Sequence, residues 1–186
     1  YIHKFEKALA KYHKVKYCVV TSGGTSALHL AIKSLNIGKG DEVICPDLTF
    51  IAPANMIVLS GAKLKLVDID PETFAINHNQ IEKKITKRTK AIMVVHQFGH
   101  SADMDPIMEI AEKHGLVVVE DACQAIGARY RDRAIGSIGH AACFSFVPAK
   151  NLGGYGDGGM IVTNNGEIAD TVRMIRNHGS DRKYYH

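Results

Sequence analysis

The chain has 186 residues, of which 46% are hydrophobic and 23% charged, and it carries a formal net charge of +4. Those values describe a folded globular chain with room for one α/β core; they exclude a disordered segment and leave too little length for two full domains. The mild positive charge suits an anionic ligand, but the basic residues are scattered, which argues against a nucleic-acid surface.

Residues 2–12 read as a first helix, with Phe5, Leu9 and Tyr12 on one face. Tyr17-Cys18-Val19-Val20 is a buried strand, followed by the turn Thr21-Ser22-Gly23-Gly24 and a helix over 25–35 that Asn36 and Gly38 end. Glu42-Val43-Ile44-Cys45 is a strand stopped by Pro46, and a helix covers 53–60 with Pro53 near its first turn. Residues 63–67 alternate as a strand does, and 80–85 form a short helix. The dense basic run from Lys83 to Arg88 reads as the solvated end of that helix. Residues 91–95 form a strand and 106–114 a helix closed by Gly115. The valine-rich strand 116–119 ends at Glu120-Asp121; 141–146 and 160–163 are the last strands, and a helix over 167–177 follows. Short apolar runs alternating with amphipathic segments predict an α/β fold: three layers, α/β/α, around a mostly parallel sheet.

Cys18, Cys45, Cys123 and Cys143 show no C-x-x-C spacing, and three of them lie in apolar runs. They read as reduced thiols, so a cytoplasmic location is expected. No stretch is long and apolar enough to span a membrane. The charged opening segment does not have the pattern of a signal peptide, and the missing initiator methionine suggests a chain that begins late.

In open α/β sheets, ligands sit at the carboxyl ends of the strands, and three sites there carry chemistry. Thr21-Ser22-Gly23-Gly24-Thr25-Ser26 lies between a strand and a helix. Its glycines let the backbone approach a ligand, and the helix start offers free N–H groups, as a phosphate cradle requires; a tight turn with a hydroxyl cap explains the same residues. Asp121 places a carboxylate at the end of a buried strand with Gln124 three residues on, either facing a crevice or capping a helix. Lys150 sits in an almost uncharged stretch with Pro148 and five glycines between Ser145 and Gly159. Lost solvation would make it a better nucleophile, though a glycine-rich surface loop with a solvated lysine fits as well. Together, the three are what a pyridoxal 5′-phosphate (PLP) enzyme needs: a lysine for the Schiff base, an acid to keep the pyridine nitrogen protonated, and a cradle for the phosphate. His96 and His100, four apart near Asp103 and Asp105, make a poor metal site because Gly99 breaks any helix there. Asp68 could imitate the ribose-binding acid of a dinucleotide fold, but no G-x-G-x-x-G precedes it.

The chain resembles the DegT/DnrJ/EryC1/StrS family of PLP-dependent sugar aminotransferases, of fold type I. The resemblance rests on Ser22-Gly23-Gly24-Thr25-Ser26-Ala27-Leu28-His29-Leu30-Ala31, Pro46-Asp47-Leu48-Thr49-Phe50 and Glu120-Asp121-Ala122-Cys123-Gln124-Ala125. It continues through Ser145-Phe146-Val147-Pro148-Ala149-Lys150-Asn151-Leu152-Gly153 with Gly156-Asp157-Gly158-Gly159, across nearly the whole chain. The resemblance implies that Lys150 holds the cofactor and shuttles the proton of transamination, and that Asp121 pairs with the pyridinium nitrogen. It further implies that Gln124 contacts the ring's hydroxyl side, that Gly24, Thr25, Ser26 and Ser145 bind the phosphate, and that Phe50 stacks on the ring. His96, in a His-x-x-Gly pattern, lines or supports the crevice.

The implied activity moves an amino group from an amino acid, glutamate foremost, to a keto sugar on a nucleotide, in amino-sugar or surface-polysaccharide synthesis. The implied assembly is a homodimer with shared active sites, with no nucleic-acid or membrane partner. Family members are roughly twice as long, so residues 1–186 are expected to be the PLP-binding large domain, incomplete, without the small C-terminal domain. The sequence stops at 182–186, just before a family loop that contacts the partner's cofactor phosphate. Three rivals stand beside this reading: a sugar dehydratase of the same family, in which histidine typically replaces the lysine; a non-catalytic PLP-binding regulator; and an NAD-dependent oxidoreductase.

Overall fold

The structure is a computed structural model that describes residues 1–180; residues 181–186, and with them the segment 182–186 noted above, lie outside the described residues. Among the described residues six α-helices are present: α1 (Ile2–His13), α2 (Gly24–Ser34), α3 (Ile51–Leu59), α4 (His78–Ile81), α5 (Met104–His114) and α6 (Gly166–Arg176). The same described residues form nine strands: β1 (Tyr17–Thr21), β2 (Glu42–Pro46), β3 (Lys63–Val67), β4 (Thr89–Val95), β5 (Val117–Asp121), β6 (Arg129–Tyr130), β7 (Arg133–Ala134), β8 (Ala141–Ser145) and β9 (Gly159–Thr163).

Seven strands form one sheet in the order β1-β9-β8-β5-β4-β2-β3. Neighbours pair in parallel except β9, which runs antiparallel to both β1 and β8. The expected three-layer, mostly parallel α/β/α architecture is what forms. A parallel sheet is covered on both faces, so its central strands need apolar residues on both sides. Accordingly β4 buries Ala91 through Val95 without a break, and β5 buries Val118 and Val119. Helices α2, α3 and α6 pack on one face through Leu28, Ile32, Ile57, Ile168 and Val172. On the other face α4 and α5 cover one half through Ile81, Met104 and Ile107, and α1 covers the other half through Leu9.

Helix α1 corrects the sequence reading. Its buried residues are Glu6, Leu9 and His13, while Phe5 and Tyr12 are exposed. Counting apolar residues misplaces the face because two polar side chains are satisfied inside. Glu6 Oε1 accepts from the Val20 backbone N–H at 3.0 Å and from Arg176 at 2.9 Å, and His13 Nδ1 donates to the Ile135 carbonyl at 3.1 Å. Phe5 instead lies edge-on to Phe146, centroids 5.5 Å apart.

The helix read over 80–85 is a single α turn, 78–81, capped by Asn77 Oδ1, continued by a 3₁₀ turn over 82–84. The basic residues Lys83, Lys84, Lys87 and Arg88 are exposed, as expected of a solvated run, and the last of them also makes a tertiary contact. Arg88 reaches back to Glu42, buried at the start of β2, with Nη2 3.0 Å from Oε1, and Thr86 Oγ1 donates to Oε2 at 2.6 Å. The Thr86 hydroxyl, followed by Arg88, holds the Glu42 carboxyl below its usual range against the opposing effect of burial.

The hairpin β6–β7 was not foreseen, because two-residue strands carry no periodicity to read. Charge and aromatic contacts fix it to α5: Tyr130 bonds to Asp103, Arg131 and Arg133 pair with Asp105, and both guanidinium groups lie 5.3–5.4 Å from the Tyr130 ring centroid. The four cysteines are free thiols, and Cys18, Cys45 and Cys143 are buried as expected. Burial pushes the Cys18 and Cys45 thiols up to about 12.

His13 gives the fold a pH dependence. It is buried against the Phe144 ring, centroids 4.5 Å apart, and burial holds its pKa below the ordinary value, with the Ile135 carbonyl and Glu120 pulling the other way. A base with a depressed folded pKa takes up its proton more readily in the unfolded chain, so stability is present above the unfolded pKa and falls as pH drops below about 6.5. The expected loss from one such group is at most about 1.4 kcal/mol per pH unit. Urea midpoints measured from pH 7.5 to 5.5 should decline, and His13→Gln, whose amide can still donate to Ile135, should decline less steeply.

Candidate active site

A cavity of about 660 Å³ opens at the carboxyl edge of the sheet. Its wall brings together the eight residues read as cofactor-binding from sequence: Gly24, Thr25, Ser26, Phe50, Asp121, Gln124, Ser145 and Lys150. They arrive on the start of α2, the β2–α3 loop, the end of β5 and the segment leaving β8.

The α2 start is built by close approach. A Cβ on Gly24 would stand 2.8 Å from both Cys123 Sγ and Ser145 Cβ. One on Gly159, at the head of β9, would stand 2.5 Å from the carbonyl carbon and oxygen of Gly23. Real Cβ atoms do not come that near to other heavy atoms, so these two glycines let the helix end settle directly onto β8 and β9. Helix α2 has no side-chain cap and no acidic residue in its first turn. Its first N–H groups and the positive end of its dipole therefore remain for an anion. Ser22 Oγ and Ser26 Oγ lie 2.9 Å apart beside them.

Asp121 is buried at the end of β5, with Oδ1 accepting from the Cys123 N–H at 3.0 Å. Burial pushes its carboxyl up, while the Cys123 backbone and thiol, then His96 and Lys150, pull it down without cancelling that effect. The protein alone leaves this acid short of positive partners, which suits a cation brought by a ligand. Lys150 is half-buried in a turn whose N–H bonds to the Val147 carbonyl at 2.9 Å. Phe50, the N-cap residue of α3, is 67% exposed, which excludes a core role. Gln124 Oε1 accepts from the Phe98 N–H at 2.8 Å, so the amide nitrogen is what Gln124 has left to offer a ligand.

Behind Asp121, His96, expected to line or support the crevice, does so in a pair with Glu120, for which no role was expected. Glu120 and His96 are both fully buried, with Oε2 2.9 Å from Nε2. Glu120 also accepts from the backbone N–H groups of Gly136 (2.9 Å), Ile138 (3.1 Å) and Gly139 (2.6 Å). Burial alone would raise its pKa, but the His96 hydrogen bond and charge and the Gly139 and Gly136 N–H groups outweigh it and hold the carboxyl low. The Ala102 N–H donates to His96 Nδ1 at 3.2 Å, which puts the ring proton on Nε2, toward Glu120. A charged residue inside a valine strand was the signal that could have found Glu120. Among the described residues no group of three or more His, Cys, Asp or Glu is placed to hold a metal ion. Asp68 is exposed at the end of β3, its Oδ1 accepting from the Ile69 N–H at 2.8 Å.

Comparison with known proteins agrees with this geometry. The DegT/DnrJ/EryC1/StrS aminotransferase family matches over residues 1–186. The chain is 50% identical over its whole length to half of a "Pleiotropic regulatory protein" of Geobacillus stearothermophilus. It is 49% identical over its whole length to half of a GDP-perosamine synthase of Caulobacter vibrioides. Its backbone superposes on half of the crystal structure of S. venezuelae DesV in complex with a ketimine intermediate, with a TM-score of 0.96, 46% identity and 100% of this chain covered. The chain thus spans about half the length of the relatives it matches. It belongs to the DegT/DnrJ/EryC1/StrS aminotransferase family.

Proposed function

We propose that this chain is the large, cofactor-binding domain of a PLP-dependent aminotransferase that moves an amino group from an amino acid, glutamate foremost, to a nucleotide-linked keto sugar. The observation that carries the reading is the meeting, on one cavity, of an uncapped helix start, a buried carboxylate and a lysine. Membership of the family and relatives such as a GDP-perosamine synthase support the substrate class. A homodimer with shared active sites and a small domain supplied by further residues follow from the family, and free thiols suit a cytoplasmic location.

The residues present fit PLP. Gly24, Thr25 and Ser26 would take the phosphate on main-chain N–H groups and hydroxyls, with Ser145 beside them. Asp121 would hold a proton at the pyridine nitrogen, and the positive ring would restore it as an ionised acid. Gln124 would donate its amide to the ring hydroxyl, and Phe50 would cover one ring face. When bound, the cofactor supplies an electron sink for the carbon that gains or loses the amino group. Lys150 Nζ would anchor the cofactor's carbonyl carbon and, once released, carry the proton to and from the substrate carbon. Glu120 and the Ala102 N–H would hold the His96 ring fixed beneath the site, and His96 in turn holds the Asp121 carbonyl through its main-chain N–H.

A second reading, a non-catalytic PLP-binding regulator, draws on the relative named for regulation. Turnover with keto sugar nucleotides distinguishes the two, and Lys150 argues against the dehydratase.

Three outcomes are expected of the intact protein. Borohydride reduction should fix a pyridoxyl group on Lys150, and Lys150→Ala should abolish both that label and nearly all turnover; a label on any other lysine overturns the assignment. Asp121→Asn should keep PLP binding but cut turnover about 100-fold or more, read as kcat against bound cofactor. Gly159→Ala should weaken PLP binding without touching it, by pushing the Gly23-Gly24 backbone off its seat; equilibrium dialysis against PLP measures this.

A further inference from the structure

Thr49 supplies an observation that the reading above does not use. Among the described residues, two buried side-chain N or O atoms have no hydrogen-bond partner: His13 Nε2, under α1, and Thr49 Oγ1. Thr49 is the one that belongs to the cavity wall, three residues past the end of β2 and next to Phe50. The residue as a whole is half-buried, while its hydroxyl oxygen is enclosed. An enclosed hydroxyl without a partner destabilises a protein, so it persists only where something else favours it. A threonine Cβ carries its hydroxyl and its methyl in neighbouring staggered positions, and one turn about χ1 moves the hydroxyl to another of them. Because Thr49 lines the cavity, such a turn can re-aim its donor without moving the main chain.

We propose that Thr49 is a further cofactor-contacting residue, whose hydroxyl turns into the cavity and donates a hydrogen bond to an oxygen of bound PLP. The proposal rests on the reading of the cavity as a PLP site. It makes the β2–α3 loop a two-residue clamp: Phe50 offers a ring face, and Thr49 offers a directional donor from the same stretch of backbone. It also separates two quantities that a structural role would keep together. Removing an unpartnered hydroxyl should not harm the protein alone, yet it should weaken the complex.

The test compares Thr49→Val, which keeps the shape and removes the donor, with Thr49→Ser, which keeps the donor. Melting temperature without ligand and PLP affinity by absorbance titration are measured on the intact protein. Thr49→Val should melt no lower than the unmodified protein, and its dissociation constant for PLP should rise about tenfold. Thr49→Ser should stay within about twofold of the unmodified affinity. A Thr49→Val variant that binds PLP as tightly as the unmodified protein overturns the proposal. So does one that loses affinity only together with several degrees of melting temperature. If the unmodified protein takes up no PLP, the cofactor reading fails and this one with it; uptake with unchanged affinity in Thr49→Val removes this one alone.

Discussion

Glu120 places a negative charge inside the molecule, and much of the cavity floor depends on how that charge is compensated. Burying an isolated carboxylate is costly, and breaking a buried pair costs about 3–5 kcal/mol because the surviving charge is left without a partner. Here four donors converge on one side chain: the His96 ring and the N–H groups of Gly136, Ile138 and Gly139. The carboxylate therefore holds the turn between β7 and β8 and the segment after β4 against the end of β5. His96 passes the constraint on, since its main-chain N–H bonds to the Asp121 carbonyl at 3.0 Å and its Nδ1 accepts from Ala102. The acid proposed to face the ligand is thus positioned from behind by an acid that never reaches it.

Strand direction explains why the lysine-bearing segment lies where it does. A parallel successor to β8 would need a crossover that carries the chain to the opposite end of the sheet. Because β9 is antiparallel to β8, the connection can stay at the carboxyl edge. Lys150 rides on that connection, and Gly159 closes it by pressing onto Gly23. The same reversal brings Ser145 opposite Gly159 in register, which sets the β8 hydroxyl beside the start of α2.

The polar residues on α1 tie the sandwich together in a comparable way. Glu6 joins α1 to β1 through Val20 and to α6 through Arg176, which also donates to the Val20 carbonyl at 2.8 Å. Two neighbouring elements and one from the far end of the described chain thereby share one buried carboxylate, satisfied by a main-chain N–H and a guanidinium together.

What the sequence determined by itself is the order and type of the main elements and the identity of the residues at the strand ends. Hydrophobic period and glycine placement report local geometry, and in an α/β sheet the ligand edge follows from strand direction. Gly23-Gly24, Asp121 and Lys150 were legible because each is an unusual residue at such an end. Tertiary structure alone decided that Glu6 and His13, rather than Phe5 and Tyr12, face inward, that Arg88 folds back onto Glu42, and that Glu120 clamps His96. It also decided that the Thr49 hydroxyl is enclosed without a partner. The physical reason is common to all of these. A buried polar group is settled by donors and acceptors that arrive from remote parts of the chain, and no local pattern records where those will be.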